Sequence, residues 1–166
     1  MAPFRRQYES GQPIWLDQRY LAGNYSLALG DFNGDGKTDL VMAIPGDRPS
    51  DPGNSYFGRV SVLLGNGDGS FRAPLIRSLE EFPYSVAVGD FNADGKPDLA
   101  VAAYGTHTLI DLKPGVSVLL GNGDGSFKAA SYYGAGPLPG FVVVDDFNGD
   151  GLPDLAVANH GGNGPN

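Results

Sequence analysis

The chain contains no cysteine, so disulfides, thiolate zinc sites and a cysteine nucleophile are excluded together. It has 2 histidines and 1 tryptophan among 166 residues. No apolar run approaches the roughly 20 residues of a membrane-spanning helix, and no segment sustains a 3.6-residue hydrophobic period, so helices are expected to be few or absent. The opening MAPFRRQYESG has two arginines but no apolar core after them, unlike a signal peptide; a secretory leader, if the natural protein has one, is expected to lie outside this sequence. A basic excess is also missing. The formal charge is -8, and nothing resembles the basic stripe that neutralises phosphates, which argues against nucleic-acid binding.

The acidity is local. Nine aspartates lie in three short loops; setting them aside from the 19 acids leaves 10 against 11 Lys plus Arg. The 26 glycines and 41% hydrophobic residues, the latter in short regular runs, describe a turn-rich folded chain. Its length suits one compact domain.

The loops are copies of one another. DFNGDGKTDL begins at residue 31, DFNADGKPDL at 90 and DFNGDGLPDL at 146, in steps of 59 and 56. A second motif confirms the period, since RVSVLLGNGDGSF at 59 to 71 returns as GVSVLLGNGDGSF at 115 to 127. A repeat of this length implies stacked supersecondary units. Within each unit, alternating or continuous apolar runs are separated by Gly, Pro, Asn and Asp, the signature of strands and turns. In the first unit strands are predicted at Tyr25 to Phe32, Asp39 to Ile44, Gly58 to Leu64 and Phe71 to Leu79. In the second they are predicted at Tyr84 to Phe91, Asp98 to Ala103, Val116 to Leu120 and Phe127 to Tyr133, and in the third at Phe141 to Phe147 and Asp154 to Ala158.

Four short antiparallel strands per repeat suggest the blades of an all-β propeller. FRRQYE from Phe4 matches the fourth strands FRAPLI and FKAASY, which gives eleven strands. The expected organisation is a single propeller segment: 1–24 the end of a preceding blade plus an insertion, 25–80 and 81–136 whole blades, and 137–166 an incomplete one. Propellers close with four to eight blades, so the expectation is a piece of a longer protein, with assembly of copies into a ring as the alternative. In that alternative GQPIWLDQRYLAG at 11 to 23 would supply a missing strand.

A hard dication such as calcium takes six to eight oxygens, and a tight loop with oxygen donors at alternate positions supplies them. Positions 1, 3, 5 and 9 offer Asp31, Asn33, Asp35 and Asp39, then Asp90, Asn92, Asp94 and Asp98, then Asp146, Asn148, Asp150 and Asp154. Position 7, with Lys37, Lys96 and Leu152, can offer only a backbone carbonyl, which leaves its side chain free to vary. Gly36, Gly95 and Gly151 hold position 6, where a sharp bend with positive φ is expected; position 4 is looser, with Ala93 replacing Gly34 and Gly149. An EF-hand would need a glutamate at position 12, where Met42, Val101 and Val157 stand. The ninth-position aspartate is therefore expected to close the cage. The plainer reading is an Asx-rich turn whose carboxylates cap backbone amides, but it leaves three like charges crowded in each loop, a repulsion that a dication would remove. One calcium per loop, three per chain, is the expectation.

YSLALGDFNGDGKTDLVMAIP with FGRVSVLLG, and YSVAVGDFNADGKPDLAVAAY with GVSVLLG, resemble the FG-GAP or VCBS repeats of integrin-α-like β-propellers. The resemblance covers roughly residues 25 to 160, with AIP and AAY where that family often has GAP. It implies a propeller, one calcium per blade in the loop between the first two strands, and extracellular or cell-surface recognition or adhesion with a protein or glycan partner.

The remaining motifs are weaker. GNGDGSF lacks the order of a P-loop and joins two strands, so it reads as a hairpin with Asn or Asp and Gly at positive φ. Phe32, Phe91 and Phe147 are expected in the core between blades. His107 and His160 stand alone, without a nucleophile or a metal-binding partner motif, so no enzyme active site is expected. Trp15, Tyr56, Tyr104 and Tyr133 could stack on a sugar, but edge packing is the default. Asn24-Tyr25-Ser26 fits a glycosylation sequon. Two functional alternatives follow: a carbohydrate-binding propeller, or an accessory domain of a larger extracellular enzyme.

Overall fold

The computed structural model describes residues 26–46, 58–79, 81–106 and 114–160. The strand matched to FRRQYE, the segment 11 to 23, Trp15, Tyr56, His107 and most of the sequon lie outside the described residues.

Ten strands and no helix make up the described residues. They are β1 (Ser26–Gly30), β2 (Asp39–Ile44), β3 (Arg59–Leu63), β4 (Leu75–Ser78), β5 (Glu81–Gly89), β6 (Asp98–Thr106), β7 (Gly115–Leu119), β8 (Ser131–Gly134), β9 (Pro139–Asp145) and β10 (Asp154–Asn159). β1-β2-β3-β4 and β5-β6-β7-β8 are four-stranded sheets in sequence order, and β9 and β10 form a two-stranded ladder. Every pairing is antiparallel. These are β-propeller blades.

Register repeats with the sequence. Gly30 faces Asp39, Gly89 faces Asp98 and Asp145 faces Asp154, so each acidic loop leaves and re-enters its ladder at the same place. Because side chains alternate across a strand, one face of each sheet meets the next blade. Val41, Ala43, Val60 and Val62 of the first sheet pack against Val86, Leu99, Val101 and Leu119 of the second. Ala100, Ala102, Val116 and Val118 on the opposite face of the second sheet pack against Val142, Leu155 and Val157 of the third unit. Ala28 packs into the first of these interfaces, and Ala87, Ala100 and Ala102 into the second.

A serine joins the inner strands. Ser26 Oγ accepts the amide of Val86 (3.0 Å), and Ser85 Oγ accepts that of Val142 (3.2 Å). The third unit has Phe141 at the matching place, 58% exposed.

Three expectations need correction. The fourth strands begin later than predicted, at Leu75 and Ser131, because Phe71 and Phe127 form isolated bridges to Gly65 and Gly121. β5 and β6 run longer than predicted, pairing past register shifts on either side of Pro83, whose missing amide interrupts a regular ladder. Phe147 is not in the core. Its counterparts Phe32 and Phe91 fold back over Gly30 and Gly89, where an added Cβ would stand 3.0 Å from either ring; the third unit has Asp145 there, and Phe147 is 58% exposed.

Candidate metal centres

Each acidic loop wraps its donor side chains around its own backbone. In the first, Asp31 Oδ1 and Oδ2 accept the amides of Asp35 (3.0 Å) and Gly36 (2.8 Å). Asn33 Oδ1 accepts the Asp35 amide and Asp35 Oδ1 that of Lys37, both at 3.0 Å. The second loop repeats this through Asp90, Asn92 and Asp94. The third does so through Asp146, Asn148 and Asp150. The bend that makes this wrapping feasible is left-handed at two positions. Gly36, Gly95 and Gly151 have φ of 75°, 79° and 84°, and position 4 is left-handed too, with Gly34 at 70°, Ala93 at 55° and Gly149 at 78°. A Cβ at Gly36 would meet nothing within 4 Å, so glycine is needed there for its backbone freedom and not for space.

The ninth position behaves differently. Asp39 and Asp98 are fully buried. Asp39 Oδ2 accepts the Phe32 amide (2.8 Å) and Oδ1 the Gly65 amide (2.7 Å); Asp98 does the same with Phe91 (2.9 Å) and Gly121 (2.7 Å). These two carboxylates fasten the acidic loop to the GNGDGSF hairpin of the same blade, a duty that no local spacing announces. Gly65 and Gly121 are needed for close approach, because a Cβ would come within 2.2 Å of the Thr38 carbonyl oxygen and 2.3 Å of that of Pro97. Asp154 accepts the Phe147 amide at 3.1 Å and is only partly buried.

The hairpins take the expected turn form with one change. Their positive φ values fall on glycines alone, Gly67, Gly69, Gly123 and Gly125, and not on Asn or Asp. Asp68 and Asp124 instead accept from Ser70 and Ser126, whose hydroxyls and then amides hold both carboxyls below the usual range. Asp146 is also lowered, first by the Gly151 amide and further by those of Gly149, Asp150 and Asn148. A crevice of about 380 Å³ between the second and third acidic loops is lined by Asp90, Asp145, Asp146 and Leu152.

The donor chemistry fits a hard, oxygen-seeking dication. Each loop brings carboxylate and amide oxygens to one bend, and an oxygen that accepts one amide keeps a second lone pair. Among the described residues no three His, Cys, Asp or Glu side chains converge closely enough to hold an ion by themselves. In the first loop calcium would be held by Asp31 and Asp35 with the amide oxygen of Asn33 and the Lys37 carbonyl, while both oxygens of Asp39, the fourth side chain expected there, accept the Phe32 and Gly65 amides. Lys37 Nζ lies 3.5 Å and an Arg72 guanidinium nitrogen 3.8 Å from Asp35 Oδ2, exposed pairs that are worth little by themselves.

The other sequence candidates have structural settings. Tyr104 packs on Tyr84 with ring centroids 5.5 Å apart, and Tyr133 is exposed on the outer strand β8. The His160 ring occupies the space that a Cβ at Gly140 would need, and its amide donates to the Leu138 carbonyl (2.8 Å).

Residues 31–101 match the family model of the FG-GAP-like repeat, and residues 139–166 match that of the FG-GAP repeat. The chain is 32% identical over 166 residues to phosphatidylinositol-glycan-specific phospholipase D of Bos taurus, an alignment covering 86% of the chain and 19% of that protein. It is 31% identical to integrin alpha-V of Gallus gallus, over 86% of the chain and 14% of the integrin, and 30% identical to integrin alpha-PS2 of Drosophila melanogaster, over 85% and 10%. The chain thus spans less than a fifth of the length of each of these relatives. Among the described residues no helix is long and apolar enough to cross a membrane.

Proposed function

Because this chain belongs to the FG-GAP repeat family, we propose that it is a non-enzymatic, calcium-stabilised propeller segment of an extracellular or cell-surface protein, serving structure and protein recognition. One observation carries the reading: three loops, in three units, fold their first, third and fifth side chains around the same left-handed bend with the same hydrogen bonds. Capping alone would not call for so many carboxylates, since neutral Asn or Ser side chains accept backbone amides as well. Calcium would supply the opposite charge that lets the carboxylates sit together.

The effect falls on the fold. A site that binds the folded state alone adds about 2.7 kcal/mol when free ion stands a hundredfold above Kd, and three such sites would rival the stability of a small domain. Chelation should lower the melting temperature by about 15 °C or more, and added calcium should restore it; a thermal melt unmoved by chelator would contradict the reading. Native mass spectrometry across a calcium titration should count three ions per chain. The same spectra report chains per assembly, so copies that complete one another's ring would appear as a defined oligomer.

The phospholipase D relatives favour a second reading, in which the repeats are the accessory part of a larger extracellular enzyme. Phospholipid hydrolysis by the isolated chain would overturn the non-enzymatic assignment. A glycan partner would appear as calcium-dependent retention on a glycan array.

A further inference from the structure

The first two acidic loops are joined by an unbroken chain of contacts through the second blade's hairpin, residues 121–127. At one end the hairpin is fastened to the second loop, where the Gly121 amide donates to Asp98 Oδ1 at 2.7 Å. The Lys96 stem also lies over Gly123, within 3.1 Å of where a Cβ would stand. At the other end it reaches the first loop. The Gly125 amide donates to the Phe32 carbonyl at 2.9 Å, and the Phe127 ring meets the Phe32 ring edge-on at 6.0 Å. Phe32 sits between the donor positions Asp31 and Asn33, and its own amide is held by Asp39 at 2.8 Å.

From this path we infer that the first and second calcium sites are energetically coupled, with the 121–127 hairpin as the element that both loops bias. The inference rests on the calcium reading above. A loop held in its bent form keeps its end of the hairpin seated, and a seated hairpin presents the neighbouring loop with the contact to Phe32 already made. Linkage makes such a coupling reciprocal, and the hairpin is the element in contact with both loops whose seating each site would bias. The third loop serves as the comparison, since its Phe147 is exposed where Phe32 is buried against the 121–127 hairpin.

Hydrogen exchange read by mass spectrometry on the full chain across a calcium chloride titration tests this, because peptides covering 31 to 39 report the first site separately. Asp94→Ala removes a second-loop donor that takes no part in the Asp98 fastening, with Asp94→Asn as the milder form should the alanine chain misfold. Either should raise the calcium concentration for half-protection of the first loop by about fivefold or more. Asp150→Ala, in the third loop, should leave that midpoint within about twofold. Phe127→Leu keeps every donor in place, and in that background the effect of Asp94→Ala on the first loop should shrink.

An unchanged first-loop midpoint in the Asp94 variants, while that loop still gains protection with calcium, overturns the coupling and leaves the calcium reading standing. An equal shift from Asp150→Ala also overturns it, since general loss of stability would then explain both. Absence of calcium-dependent protection anywhere in the unmodified chain overturns the calcium reading and the coupling with it.

Discussion

Position four of the acidic loops separates two costs that glycine avoids, backbone strain and steric clash. Ala93 occupies the left-handed conformation that Gly34 and Gly149 adopt in the other copies. An L-residue there costs about 1–2 kcal/mol, of which a glycine gives back part through its looser unfolded chain. Ala93→Gly should therefore stabilise the protein by about 0.5–1 kcal/mol, read as a higher urea midpoint in saturating calcium. Gly36→Ala should lower it by about 1 kcal/mol, since its Cβ meets open space. Gly65→Ala should cost more than Gly36→Ala, because the Thr38 carbonyl must move to admit a Cβ. That the side chains at positions one, three and five gather at one bend was legible from spacing, since alternate residues of one loop are a local pattern. The fastening by Asp39 was not, because its partner amide on Gly65 lies 26 residues away.

At the scale of the element, the strands were readable from apolar runs between turn residues, and their ends were not. Phe71 continues an apolar pattern and so reads as strand, yet it bridges back to Gly65 and closes the hairpin instead. That hairpin carries an acid-sensitive contact. Ser70 and Ser126 lower the pKa values of Asp68 and Asp124 through their hydroxyls first and their amides second. A carboxyl whose folded pKa is depressed contributes stability above its unfolded value, near 3.9, and loses that contribution as pH falls through the folded value. The double variant Ser70→Ala/Ser126→Ala should accordingly melt below the parent by a constant margin at pH 5 and above. The margin should close as the buffer is taken to pH 3 and lower. A margin that widens in acid would reverse the assigned sign.

Across the whole molecule, the repeat period revealed the blades and their order, while the fate of each blade face depended on which residues meet across a gap of nearly sixty positions. The paired serines show this. Ser26 and Ser85 each take an amide from the following inner strand, and Ser85 does so where it is almost completely buried. Removing its hydroxyl leaves the Val142 amide without its acceptor in a place that water does not reach, a loss of about 1–3 kcal/mol. Ser26 is only partly buried, so water can replace its hydroxyl and Ser26→Ala should cost less. The order of the two losses checks the packing more sharply than their size does: equal losses in chemical denaturation would mean that the second and third units are no better sealed than the first and second. Because the Ser85 bond joins units whose loops flank the same crevice, Ser85→Ala should also quicken amide exchange in residues 139–145 before it does so in β1, and exchange that rises first in β1 would place the weaker seam between the first two blades.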